Sequence, residues 1–131
     1  MEIPTDIEVH ENQNSSYWFD KEGILCSVNK KGAPKQSLED VRNTLTDFYK
    51  ILNGRKVCLL ADATYTQEST KEVRDYVAKE FPKFIKAIAI VTKSPLGKML
   101  ANLFFTIANQ PYPIKMFTHE ADARKWLHDH L

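Results

Sequence analysis

Only two of the 131 residues are cysteine, and neither stands in a C-x-x-C, C-x-x-x-H or H-x-x-x-H spacing. That scarcity excludes a disulfide-stapled scaffold, a dithiol redox motif and a clustered zinc site. Glycine is scarce too, at four residues, and no G-x-S-x-G elbow or Gly-rich phosphate loop is present, so hydrolase and nucleotide-cradling chemistry have no sequence support. Charge of one sign is missing: 18 Lys and Arg against 17 Asp and Glu leave +1, too little for a global field that attracts nucleic acid or an anionic membrane. No apolar run approaches the roughly 18 to 20 residues of a membrane span. The opening MEIPTDIEVHE lacks the basic and apolar regions of a signal peptide. These absences together lead to the expectation of a cytoplasmic protein with reduced thiols, without nucleic acid or stable membrane insertion as partners.

What remains is 43% hydrophobic and 27% charged, the composition of one ordinary domain, taken as residues 1–131. The neutral total hides a gradient. Residues 1–55 carry seven basic and nine acidic side chains, residues 56–118 nine and five, and residues 119–131 two and three. Much of the central excess sits in Lys79, Lys83, Lys86, Lys93 and Lys98, opposed over that stretch only by Glu80.

Strand signals come first. IEVHE, SYWFD and GILCSVNK are separated by ENQNS and DKEG, with Tyr17 and Phe19 on one face and Ile24, Cys26 and Val28 on one face of the next strand. The short Gly-ended connection makes the second and third segments an antiparallel hairpin. Helical spacing then takes over. Ser37 caps a helix whose stripe is Leu38, Val41, Leu45, Phe48, Ile51 and Leu52, stopped by Asn53-Gly54. KVCLLA, Lys56 to Ala61, is a short apolar run typical of a strand covered on both faces. After the polar loop from Asp62 to Gln67, Ser69-Thr70-Lys71-Glu72 has the form of a capping box and starts a second helix at Ser69 or just before it. Its stripe is Val73, Tyr76, Val77 and Phe81, ended by Pro82.

IKAIAIV, Ile85 to Val91, repeats the buried-strand signature. Ser94 with Pro95 at the first helical position begins a third helix, running from Leu96 to about Ala108. This helix is unusually apolar: Leu96, Met99, Leu100, Leu103, Phe104 and Ile107 form one face and Phe105 adds bulk beside it. IKMF is a last strand, and Thr118 caps a final helix with Ala123, Trp126 and Leu127 in its stripe. The order βββαβαβαβα predicts an α/β fold: a mixed sheet with antiparallel N-terminal strands and parallel C-terminal βαβ units. Sites in such sheets gather at the carboxyl ends of strands, here near Ala61 and Val91.

The strand ending LLAD, the helix with EVRDYV, the stretch AIAIVTKSPLGKMLANLFF and the ending YPIKMFTHEADARKWL resemble a SpoIIAA-like group of small bacterial proteins of unknown function, related to STAS domains. The resemblance runs from about Ser15 to Leu131 and implies a SpoIIAA-like fold, a regulatory or binding role and homodimers. In STAS domains that antagonise anti-sigma factors, a Ser at the helix start after an Asp-ended strand is a phosphorylation switch. The matching positions are Asp62, Ser69 and Thr70, although QESTKE replaces the usual Asp-Ser-Ser-Gly.

Residue chemistry adds alternatives. Asp62 reads as an Asx-turn or loop cap, with a role at the sheet's carboxyl edge as the other choice, and Arg74 as its ion-pair partner. Ser69 reads as an N-cap. Thr92, Lys93 and Ser94 offer amide donors and an ammonium where a strand meets a helix, without a Gly-rich loop. His128 and His130 stand two apart and cannot share a metal from one helix face. Cys26 and Cys58 read as buried, inert thiols. The third helix exceeds the needs of one buried face. It fits a core helix whose other side crosses a dimer interface, or the lid of a lipid- or acyl-lined pocket with adaptable Met99 and rim lysines Lys93 and Lys98. The expected function is therefore a non-enzymatic STAS-like module binding a regulatory protein or its own copy, using the loop from Asp62 to Thr70 and the third helix with Leu103, Phe104 and Phe105. The alternative is a small hydrophobic-ligand or lipid-binding protein. No cofactor is implied.

Overall fold

The computed structural model describes residues 1–105 and 109–131. Six strands, β1 (His10–Glu11), β2 (Ser15–Phe19), β3 (Leu25–Asn29), β4 (Val57–Asp62), β5 (Ile85–Val91) and β6 (Ile114–Phe117), form one sheet in strictly sequential order. The pairs β1·β2 and β2·β3 are antiparallel; β3·β4, β4·β5 and β5·β6 are parallel. The mixed α/β architecture and its element order are those read from the sequence.

Order dictates layering. Each parallel step moves the chain one place in the same direction, so right-handed crossovers carry all three connecting helices over one face. These are α1 (Leu38–Leu52), α2 (Lys71–Glu80) and α3 (Pro95–Phe105). The helix α4 (Glu120–His128) follows the last strand and covers the opposite face, its Ala123 and Leu127 packed with Ala87 and Ala89 of β5. Strand alternation therefore builds two cores. Tyr17, Leu25, Leu59, Ile88 and Ile90 face α1 to α3; Trp18, Cys26, Cys58 and Leu60 face α4.

The first strand is shorter than IEVHE suggests. Ile7 and Val9 pack, with Met1, against the α4-side core instead of joining the ladder, so their apolar character serves a strap along that face. The helix α1 begins as expected: Ser37 Oγ accepts from the Asp40 N–H at 3.1 Å, and Asn53 at φ 47° closes the other end. The helix α4 is capped at His119 rather than Thr118, with no side-chain bond to its first turn.

The largest departure concerns α3. Its buried positions are Gly97, Leu100, Ala101 and Phe105, while Leu96, Met99 and Leu103 are 59%, 55% and 52% exposed. Ile107, placed in the stripe by sequence, lies outside the described residues. Close approach sets this rotation. A Cβ on Gly97 would meet Thr92 Oγ1 at 2.6 Å and the Ala63 carbonyl oxygen at 3.0 Å, so only glycine lets the helix sit this near the strand ends. With Gly97 and Ala101 inward, the larger Leu96, Met99 and Leu103 turn outward. Phe105, expected beside an interface, is core, stacked edge-on with Phe104 and near Phe81.

This orientation predicts a sharp contrast in urea unfolding: Phe105→Ala costs about 3 kcal/mol, in the range of buried Phe truncation, whereas Leu103→Ala stays within about 0.5 kcal/mol. Equal effects would mean the helix is rotated the other way.

Candidate functional site

On the α1-to-α3 face of the sheet, the side chains of β3 and β4 become small and polar toward their carboxyl ends, between Tyr17 of β2 and Ile90 of β5. Along β3 the residues on this face are Leu25, Ser27 and Asn29, and along β4 they are Val57, Leu59 and Ala61, with Ser27 directly beside Ala61. Truncating the side chains toward the carboxyl ends leaves space beneath the helices that no neighbour fills. A cavity of about 140 Å³ results. Its inner wall is apolar and aromatic, with Tyr17, Leu45, Phe48, Val77, Phe81 and Phe105 among the lining residues. Tyr17 packs edge-on against Phe48 at 4.9 Å, and burial, with Asp47 nearby, raises its phenol pKa.

The mouth is polar. Three loops meet there: the β1–β2 turn, the β3–α1 connection and the β4–α2 connection. Amide side chains tie them together. Asn12 Nδ2 donates to Thr44 Oγ1 at 3.0 Å, Asn29 Nδ2 to Thr66 Oγ1 at 3.0 Å, Asn14 Nδ2 to the Pro34 carbonyl and Gln67 Nε2 to the Ala33 carbonyl. Asn12 Oδ1 additionally holds the Asn14 and Ser15 amides at 2.8 and 2.7 Å. Lys30 spans the same rim, its Nζ 2.9 Å from the Asn12 carbonyl oxygen and 3.7 Å from Glu11.

The residues singled out by sequence divide around this cavity. Asp62, Ser69, Phe104 and Phe105 line it, but Met99 does not. Asp62 stands in register with Val28 and Val91, so its carboxylate belongs to the opposite, α4-side face. There Oδ2 receives the Met1 ammonium at 2.7 Å, and Oδ1 holds the Thr64 amide and hydroxyl at 3.0 and 2.6 Å. These donors keep the Asp62 pKa below its ordinary value against a desolvation that pushes it up. The Asx-turn reading holds; the ion pair with Arg74 does not form. Arg74 Nη1 instead donates to the Ser69 carbonyl, a partner five residues back on the same chain and on the other side of the sheet from the Asp62 carboxylate.

The capping box also shifts by one residue. Thr70, in extended geometry, is the N-cap of α2, and its hydroxyl accepts from the Val73 N–H at 3.2 Å. Ser69 is left in the loop, its hydroxyl 3.4 Å from Arg74 Nη1. At the start of α3, Thr92 Oγ1 accepts from the Ser94 amide and Ser94 Oγ from the Gly97 amide, at 3.3 and 3.2 Å. That arrangement spends amide donors on local caps, and Lys93 and Lys98 point to solvent. Both cysteines are buried on the α4 side; desolvation pushes the Cys26 thiol up to about 12. Among the described residues no group of three or more His, Cys, Asp and Glu is placed to hold a metal ion.

Residues 17–131 match the family model described as Domain of unknown function (DUF7793). The chain belongs to that family. No curated protein matches the DUF7793 chain. A solved structure that does resemble it is an uncharacterized protein of the DUF3478 family with a SpoIIAA-like fold from Shewanella loihica PV-4, at a TM-score of 0.56 and 18% identity over 96% of this chain and 99% of that one. The likeness extends to the fold: this DUF7793 domain is SpoIIAA-like.

Sequence reasoning pointed to the carboxyl end of β4 and missed the residues that make the site there. Ser27 and Asn29, polar at alternate positions of β3, were the signal present in the sequence. The revised cap is testable by thermal unfolding. Thr70→Ala costs about 1 kcal/mol through the lost cap, and Ser69→Ala stays within about 0.5 kcal/mol; the reverse ranking would restore Ser69 as the cap.

Proposed function

We propose that this DUF7793 domain is a non-enzymatic binding module that takes a small, mostly apolar molecule into the cleft between the upper sheet face and α1 to α3. One observation supports this reading above the others: an aromatic-walled cavity of about 140 Å³ closed by a cross-tied polar rim. Cavities of that size hold a molecule such as benzene and fall below the several hundred Å³ of a drug-sized pocket. That space suits a single ring or a short branched chain better than a full lipid acyl tail. The pocket also lies deeper than the lid reading of α3 implied, against Phe104 and Phe105 rather than Met99.

Benzene titrated into the isotope-labelled protein will shift amide resonances of Ser27, Ala61 and Phe105. Ala61→Leu fills the same space and abolishes those shifts without lowering the unfolding midpoint; Ser27→Val serves where Ala61→Leu overpacks. Undiminished binding by the filled variants, or shifts confined elsewhere, would overturn the reading.

Protein association through α3 is the second reading, favoured by the outward stripe of Leu96, Met99 and Leu103 flanked by Lys93 and Lys98. A second copy or a regulatory protein would cover it. Sedimentation equilibrium separates the cases: Leu103→Glu leaves the fold intact and lowers self-association at least tenfold, whereas a parent chain that stays monomeric throughout removes the homodimer.

A further inference from the structure

A hydroxyl in the floor of the cavity narrows the chemistry of its occupant, a step that rests on the binding reading above. Ser27 of β3 stands in register with Tyr17 of β2 and Ala61 of β4, all three on the face covered by α1 to α3. Tyr17 and Ala61 are 4% and 8% exposed, yet Ser27 between them is only half-buried, and it lines the cavity. A position in the middle of the sheet, beneath a layer of helices, reaches open space only through the cavity. The exposure of Ser27 is therefore exposure to the interior of the site. Its Oγ is bonded by no described residue and is not among the side-chain atoms sealed off without a partner, which are Asn14 Oδ1 and Tyr112 Oη. The neighbouring polar group on the same strand face is already engaged: Asn29 Nδ2 donates to Thr66 Oγ1 at 3.0 Å.

A wholly apolar guest would cover the Ser27 hydroxyl and leave it unpaired, whereas a guest hydroxyl placed against it both donates and accepts. Charge on the guest finds no counterpart. Lys30 is the one basic residue of the lining, and its ammonium is engaged by the Asn12 carbonyl and faced by Glu11. The Asp62 carboxylate points to the opposite face, where the Met1 ammonium and Thr64 hold it. A charged group carried down to the aromatic wall would lose its hydration without an ion partner.

We propose that the cavity binds a compact, uncharged alcohol, its hydroxyl paired with Ser27 Oγ and its apolar body, one ring or a short branched chain, against the aromatic wall. The probes are phenol, toluene, which carries a methyl in place of the hydroxyl, and benzoate, each titrated into the full chain and followed by amide chemical shifts. Phenol and toluene both saturate and benzoate does not. Ser27→Ala shifts the ratio of phenol to toluene affinity about tenfold toward toluene, the size of one net hydrogen bond; a serine that merely shaped the cavity would move both guests alike. Ser27→Cys, which keeps the shape and weakens the bond, serves in place of an alanine variant that does not fold and shifts the ratio in the same direction. A ratio unchanged within about twofold overturns the alcohol assignment while the cavity reading stands, and saturable benzoate binding overturns the requirement for an uncharged guest. Failure of phenol and toluene alike to bind removes the proposal and the binding reading together.

Discussion

Burial of β4 and β5 on both faces is the constraint from which the remaining structure follows. Every residue of β4 is buried, and along β5 only Lys86 is exposed. A strand in that position must satisfy two packing problems at once, one for each set of alternate side chains. On the α4 side the answer is small: Ala87 and Ala89 let Ala123 and Leu127 come close. On the other side Leu59, Ile88 and Ile90 meet a layer of three helices. The sequential strand order assigns those three helices to one face, which leaves the other to a single helix and the N-terminal strap.

The cavity is a consequence of how that helix layer is filled. Near the start of β4 the face toward the helices is closed by Val57 and Leu59, supported by Phe48, Phe81 and Phe84 from above. Two residues farther on, Ala61 beside Ser27 supplies too little volume, and the helices do not sink to compensate. The rim explains why they do not. Four amide side chains tie the loops that lead into α1 and α2 to each other, to the β1–β2 turn and to α1, so collapse would sacrifice hydrogen bonds at partly buried sites, where an unpaired group is costly.

Elements whose signals are local were legible in the sequence. Ser37 and Asn53 bracket α1 where expected, and apolar runs bounded by polar loops located β4 and β5. The mixed sheet, antiparallel first and parallel after, followed from that element order, whereas the sequential strand order came only with the structure. What escaped depended on tertiary contact. The sequence left open which apolar side chains of α3 turn outward and set Phe105 among them, while Gly97, the residue with no side chain, decides which face turns in. The Asp62 pairing escaped because strand alternation points its carboxylate away from Arg74, and both Ser69 and Thr70 carry a hydroxyl suited to the cap that Thr70 supplies. Ser27 and Asn29 were visible but resembled ordinary exposed positions of a hairpin, and only the presence of α1 above them turns polarity into a site.

The outward stripe and the cavity are carried by adjacent residues of one helix, and this proximity bears on how the two readings of function relate. Phe105 lies in the core beside Phe81, Phe104 packs edge-on against Phe105 at 4.9 Å, and both line the cavity. Leu103 is the next residue and points to solvent. On the binding reading, a guest in the cavity would meet α3 from beneath, at the turn that presents part of its exposed surface. Such contact shifts α3 between arrangements only to the extent that the guest binds one arrangement better than another. A guest of one ring makes few contacts, and its differential affinity is bounded by the few kcal/mol that a small ligand gains in total. Any coupling between ligand and partner is thus limited to modest changes in affinity, reciprocal in both directions. The first turn of α3 sits close against the strand ends, where a Cβ on Gly97 would meet Thr92 Oγ1 and the Ala63 carbonyl, while the turn holding Phe104 and Phe105 borders the cavity.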